Sequence, residues 1–245
     1  MVELRSSITE VVDAIHHDLL AVCTEKMREA QSRYFKEHIR FLGCSLPQCN
    51  RVSNTWSKKL KAEGWVYDDI LLIVEALLKA GTIEEGAVGL DLVSRYKKEF
   101  RESDFNIFES WLRDYVSNWA LTDSIAPHVF GELLEKFPGL TERVFEWTTS
   151  DNRWMRRASA VTYVIHARHG KFHEAVFRTA DALLGDDDDM VRKGVGWMLK
   201  CASQANESAV VSYLMKNRER TSRLVLRYAT EKVSPKNREL VLART

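Results

Sequence analysis

The 245-residue sequence predicts an all-α fold assembled from repeated helix pairs, on three observations. Apolar residues recur at three- and four-residue spacing along nearly the whole chain, the period of helices with one buried face. Only 11 glycines and 4 prolines interrupt it, and no stretch alternates strictly between apolar and polar residues as a half-buried strand would. The second half also repeats itself at an offset of 36 residues, the signature of a stacked-repeat architecture.

The elements follow in order. Ile70, Leu71, Ile73, Val74, Leu77 and Leu78 form one helical stripe, which Gly81 ends. Val88, Leu92, Val93 and Tyr96 form the next, followed by Phe105, Phe108, Trp111, Leu112 and Tyr115. Ile125, Val129, Leu133 and Leu134 come after, closed by Pro138 and Gly139. In the repeat, Asp151-Asn-Arg-Trp154-Met155-Arg156-Arg157-Ala158 matches Asp187-Asp-Asp-Met190-Val191-Arg192-Lys193-Gly194. The Asp is read as a helix N-cap, the apolar pair as core, and the small residue as the place where a neighbouring helix approaches. The pattern resembles the second helix of a HEAT repeat. It implies a HEAT-like helical-repeat solenoid, C-shaped with a concave face, in one domain: an N-terminal helical cap over about 1–66 and repeats over about 67–245. The run Asp186–Asp189 fits the first turn of a helix, favourable against its dipole. Consecutive acids there point in different directions, so no metal site is expected.

Apolar residues make up 45% and charged residues 29% of the chain, an ordinary soluble composition. No stretch is apolar for the length of a membrane span. Met1–Glu10 carries acids and no apolar signal core, so export is not expected. Cys23, Cys44, Cys49 and Cys201 are too few and scattered for a disulfide framework and read as reduced thiols of a cytoplasmic protein, with Cys44 and Cys49 flanking a turn at Pro47. The net charge of +1 hides segregation. Lys and Arg outnumber Asp and Glu by 7 to 1 over residues 33–61 and by 12 to 4 over 192–245, while 62–141 holds 7 against 15. Two basic arms brought to one face would suit a polyanion, and two solvated helix faces account for the counts equally well. Arg220, Arg223 and Arg227 are read as one helical face touching phosphates. His166, His169 and His173 lack a carboxylate or thiol at a matching offset, so zinc is not expected there either.

Four stretches, in order and spacing, resemble the AlkD-like DNA alkylation repair glycosylases. They are Tyr34-Phe-Lys-Glu-His-Ile-Arg-Phe-Leu-Gly43 with Pro47 after it, Gly89–Lys98, Asn118-Trp119-Ala-Leu-Thr-Asp123-Ser-Ile-Ala-Pro127, and Asp151–Ala158 together with Gly194-Val-Gly-Trp197. By that resemblance Asp123 is the catalytic carboxylate, and Trp119 and Trp197 are the aromatics that hold the lesion nucleotide's sugar. Arg157 is a basic residue near the DNA backbone, Tyr34 belongs to the DNA cleft, and Lys193, one repeat after Arg157, suits a phosphate. The chain departs from the family's pattern in the third stretch, where Asn118 or Ala120 and Leu121 stand at positions that can carry a second Trp and a second Asp. The resemblance implies a cofactor-free, monomeric, cytoplasmic DNA glycosylase for alkylated purines in duplex DNA. The alternative is a non-catalytic HEAT-like repeat protein that binds damaged or branched DNA. Taken without the resemblance, Trp119 and Trp197 read as core and Asp123 as the cap of a helix starting at Ser124. Trp56, Trp65, Trp111, Trp147 and Trp154 read as core in either case.

Overall fold

The structure, a computed structural model, describes residues 7–243. The expectation on Met1–Glu10 lies largely outside them. The chain divides into two compact units, Met1–Ile125 and Ala126–Thr245. The first contains α1 (Ile8–Val22), α2 (Glu25–Ser32), α3 (Leu46–Ala62), α4 (Tyr67–Ala80), α5 (Ile83–Ser94), α6 (Asp104–Asp114) and α7 (Trp119–Ile125). The second opens with a π-helical turn (Ala126–Phe130) and continues through α8 (Gly131–Lys136), α9 (Thr141–Glu146), α10 (Arg153–Val161), α11 (Val164–Ala167), α12 (His173–Leu183), α13 (Asp189–Ala205), α14 (Glu207–Lys216), α15 (Arg223–Ala229) and α16 (Pro235–Leu242). Among the described residues the extended backbone pairs only in an isolated bridge between Arg40 and Thr82. The all-α expectation therefore holds. No helix among them is long and apolar enough to cross a membrane.

Local chemistry explains many of the boundaries. Ser7 and Glu10 form a reciprocal capping box at α1, and Thr24, Thr82 and Ser222 accept from the first-turn amides of α2, α5 and α15. Gly81, at φ 80°, stops α4 in the left-handed conformation that favours glycine. Pro47 is not in a turn: it lies in the first turn of α3, where its missing N–H costs nothing, and Cys49 is buried within that helix. The stripes read from the sequence are core. Ile70, Ile73, Val74 and Leu77 of α4 and Val88, Leu92 and Val93 of α5 are buried, as are Phe105, Phe108 and Trp111 of α6. Phe108 lies 5.2 Å from both Phe100 and Trp111, ring centre to ring centre.

In the second unit the 36-residue repeat is visible in the bonding. Asn152 caps α10 by accepting from Trp154, and Asp188, 36 residues on, caps α13 by accepting from Met190 and Val191. The caps therefore fall one residue later than Asp151 and Asp187, which the sequence pattern favoured. Gly194 is where α13 approaches α10: a Cβ there would lie 3.2 Å from Arg157 Cγ and 3.3 Å from Val161 Cγ2. Ion pairs repeat the same interval, Glu135 with Lys171 and Glu142 with Arg178. The acids of 186–189 are employed locally. Asp186 pairs with Arg156 at 2.6 Å, Asp187 with Arg192 at 3.3 Å, and Asp188 is the cap.

The expectation of four reduced thiols is overturned. Cys23 and Cys44 form a disulfide, with Cα atoms 4.4 Å apart, joining the end of α1 to the segment before α3. Scattered spacing hid a pair 21 residues apart that the fold brings together. Cys49 and Cys201 remain free and buried, and burial pushes the Cys49 thiol up to about 12.

His166 is buried in the second unit, its Nδ1 3.3 Å from Glu135 and its ring edge-on to Phe172. Phe172 takes a left-handed backbone, φ 56°, that side chains other than glycine rarely adopt. Burial holds His166 below its usual range, against the pull of Glu135. A depressed histidine adds stability that is complete above its ordinary pKa near 6.5 and is lost as pH falls through the lower folded value. We expect unfolding free energy to drop between pH 7 and 5, and His166→Gln to flatten that part of the profile in urea titrations.

Candidate nucleic-acid interface

The site in the first unit is built on α7. Asn118 is buried and starts the helix, its Oδ1 accepting from the Leu121 amide at 3.0 Å and its carbonyl from the Thr122 amide and hydroxyl at 3.1 and 2.8 Å. Leu121, Thr122 and Ile125 face inward. Leu121 fills the space left by Gly86 of α5, where a Cβ would lie 3.0 Å from Leu121 Cδ1. Trp119, Ala120, Asp123 and Ser124 are left half-buried on the other side. Trp119 and Asp123, four apart, project along one face. Asp123 stands in the second turn, so it is not the cap that its sequence context allowed; Asn118 is. Of the residues at which the third stretch departs from the expected pattern, Asn118 serves as the cap and Leu121 as the anchor, and Ala120 is half-buried beside Trp119. Four residues beyond Asp123, Pro127 has no N–H to extend the α-helical ladder, and the chain widens into the π turn.

A strap, residues 33–45, joins α2 to α3. Its Phe35 ring stacks on the Trp119 indole, with centroids 5.0 Å apart and planes 11° from parallel, and is braced by Phe41 at 5.4 Å. Tyr34 points away, 79% exposed, and its hydroxyl makes no hydrogen bond among the described residues. The strap is fixed at its base. Buried Glu84, at the start of α5, accepts from three successive amides: Leu42 at 2.9 Å, Gly43 at 2.9 Å and Cys44 at 3.2 Å. Gly43 has φ +103°, and a Cβ there would lie 2.4 Å from the Thr24 carbonyl oxygen, so no other residue fits without a shift. The Cys23–Cys44 disulfide closes the same segment. Arg40 adds a backbone bond from Ile83 at 3.1 Å and a side-chain bond to the Ala80 carbonyl at 3.0 Å.

In the second unit Lys193 and Trp197, four apart on α13, are both half-buried. Gly196 lets α15 come close, with a Cβ there only 2.5 Å from Tyr228 Cβ. Arg223 and Arg227 lie four apart on α15, exposed. Lys193, Arg223 and Arg227 make no ion pair among the described residues. Arg220 does not share their face. It ends a short 3-10 turn, Thr221 is extended before α15 begins, and its guanidinium is held by Asp181 at 2.5 Å and by Asn217 at 2.9 Å. Arg157 is 5% exposed; its stem lies against Gly194 and it donates to the Met190 carbonyl, bracing α10 to α13. Of the seven tryptophans, Trp56, Trp65, Trp111, Trp147 and Trp154 are buried, and Trp119 and Trp197 are the two that are not.

Phe35 and Glu84 escaped the sequence reading. Phe35 lies inside a quoted stretch, but an irregular segment has no periodicity to assign its ring a direction. Glu84 reads only as an acid in the first turn of a helix.

The DNA alkylation repair enzyme family model matches residues 15–233. The chain belongs to this family. Its fold is similar to that of a predicted DNA alkylation repair enzyme from Enterococcus faecalis, at 17% identity and a TM-score of 0.77, over 87% of this chain and 97% of that one. It is also similar to AlkD2 from Streptococcus mutans, at 20% identity and a TM-score of 0.63, over 93% of this chain and 100% of that one. A third, smu.31 from Streptococcus mutans UA159, is 22% identical with a TM-score of 0.56, over 78% of this chain and 100% of that one. No curated protein matches at a significant level.

Glu84 is the test of the strap's base. Glu84→Ala strands buried amides at Gly43 and Cys44, at roughly 1–3 kcal/mol each. Chemical denaturation should register that loss, and Glu84→Gln, which keeps one acceptor oxygen, should lose less.

Proposed function

We propose that this chain is a monofunctional DNA glycosylase that hydrolyses the N-glycosidic bond of cationic N3- and N7-alkylated purines in duplex DNA, in base-excision repair. One observation carries the reading: a half-buried indole and a carboxylate, Trp119 and Asp123, share one face of a helix whose other face is locked into the core. Membership in the DNA alkylation repair enzyme family supports it.

The chemistry asks little of the protein. A purine alkylated on a ring nitrogen is already a cation. When its bond to C1′ breaks, the electron pair neutralises the ring and the base leaves without a general acid. The sugar gains oxocarbenium character, and a water oxygen bonds to C1′. Asp123 stabilises that cation and takes the water's proton. Opposite charges about 4 Å apart at an effective dielectric near 20 interact by roughly 4 kcal/mol, nearly a thousandfold in rate. That is an upper bound, because the carboxylate also attracts the cationic base in the ground state. Trp119 offers an electron-rich face worth roughly 0.5–2 kcal/mol to a sugar turning positive, and the indole of Trp197 has the same chemistry. Lys193, Arg223 and Arg227 bind phosphates, and exposed Tyr34 contacts the DNA. Arg157 and Arg220, each held by protein partners, contribute charge rather than direct contacts. The enzyme acts as a monomer on cytoplasmic duplex DNA. It grips sugar and backbone and leaves the base largely stacked, so bond lability supplies the selectivity. The step uses neither redox chemistry nor a Lewis acid.

Methylated duplex DNA incubated with the protein should release free 7-methylguanine and 3-methyladenine, with uracil excised far more slowly. Asp123→Asn should slow release by up to about a thousandfold, while duplex binding persists. No release from the wild type in molar excess would leave a non-catalytic DNA-binding repeat protein instead. Arg223→Ala or Arg227→Ala should weaken binding evenly across sequences and lower the slope of log affinity against log salt by about one unit.

A further inference from the structure

We infer that Phe35 is a positioning residue for the reaction: it holds the Trp119 indole in the plane that the sugar meets. The inference rests on the glycosylase reading for its effect on rate, and on the strap's geometry for everything else. A half-buried tryptophan on a seven-residue helix has two side-chain torsions that its surroundings must fix. Phe35 supplies the missing constraint, stacked nearly parallel at 5.0 Å and 11°, within the offset geometry that aromatic pairs favour. Phe41, 5.4 Å from Phe35 and tilted by 51°, keeps Phe35 from rotating away.

The strap's base has no flexibility to spare. Glu84 gathers the amides of Leu42, Gly43 and Cys44, and the disulfide ties Cys44 to the end of α1. Glu84 also begins α5, the helix whose Gly86 receives Leu121. The support of Phe35 and the support of α7 therefore converge on the same turn of α5. Indole and ring are set relative to one another by a single rigid element. Tyr34, next to Phe35 but exposed to solvent, is a ligand contact; Phe35 acts through Trp119.

The test separates orientation from binding. The protein is labelled with 5-fluorotryptophan, and the Trp119 fluorine resonance is assigned by its absence in Trp119→Phe. In the wild type it should be a single narrow line. In Phe35→Ala it should shift and broaden as the indole samples several rotamers, and in Phe35→Tyr, which restores a ring, it should return. Single-turnover excision of 7-methylguanine should fall about tenfold in Phe35→Ala, ~1.4 kcal/mol in activation free energy, and recover in Phe35→Tyr. The Kd for lesion-free duplex should stay unchanged, and Phe35→Tyr should restore whatever melting temperature Phe35→Ala loses with the ring contacts. An unaltered Trp119 resonance in Phe35→Ala overturns the inference, and so does an excision rate equal to that of the wild type. A loss of duplex affinity equal to the loss of rate overturns it too, by making Phe35 a DNA contact. If the wild type excises nothing, the glycosylase reading fails, and the fluorine spectra alone decide whether Phe35 orients the indole.

Discussion

Leu121 seated against Gly86 is the contact on which the candidate site depends. A helix of seven residues has one face to bury and one to show. Leu121, Thr122 and Ile125 take the buried one. Asn118 starts the helix one residue before Trp119, which sets its phase. With phase and buried face fixed, Trp119 and Asp123 have to point outward together. The site follows from core packing: a residue that changes how α7 docks on α5 also changes where the carboxylate and the indole are aimed.

The same logic joins the strap to the helices. An irregular segment must satisfy its amides or leave them in water. Here a buried carboxylate accepts three of them in succession. Hydrogen bonds to a charged group are stronger than those between neutral groups, and the helix start that carries Glu84 favours negative charge. Glutamate at this position thus serves α5, the strap and, through Phe35, the indole at the edge of the site. In the second unit the close approaches at Gly194 and Gly196 do comparable work, bringing α10 and α15 against α13 so that Lys193 and Trp197 share what remains uncovered.

Much of this was legible in the sequence, and the remainder was hidden for physical reasons. Periodicity located the buried faces of α4, α5 and α6, because a helix core repeats every three or four residues. The 36-residue match located α10 and α13, although it set their caps one residue early, since Asp151 and Asn152 are both good caps and spacing cannot choose between them. Five tryptophans were rightly assigned to the core. Arg220 was misplaced because three arginines at helical spacing look alike whether or not the helix runs through them; Thr221 breaks it. The disulfide, the Glu84 cradle and the Phe35 stack were invisible because each joins residues far apart in the chain through a segment without a period. Asp123 shows both limits at once: its neighbours allowed a cap, and only the helix start at Asn118 removes that option.

The ion pairs of the second unit carry a consequence for how such a chain can change length. Glu135 meets Lys171 and Glu142 meets Arg178, each partner one full repeat downstream. Exposed pairs of this kind contribute little energy, so they mark a register that packing enforces. A single-residue insertion inside one of the helices between the paired positions would turn the rest of that helix about 100° around its axis and carry its core residues into solvent. Duplicating or excising a whole 36-residue block would return each acid to a base and each small residue to its neighbouring helix. Growth or shrinkage of this half of the protein is therefore quantised in units of one helix pair.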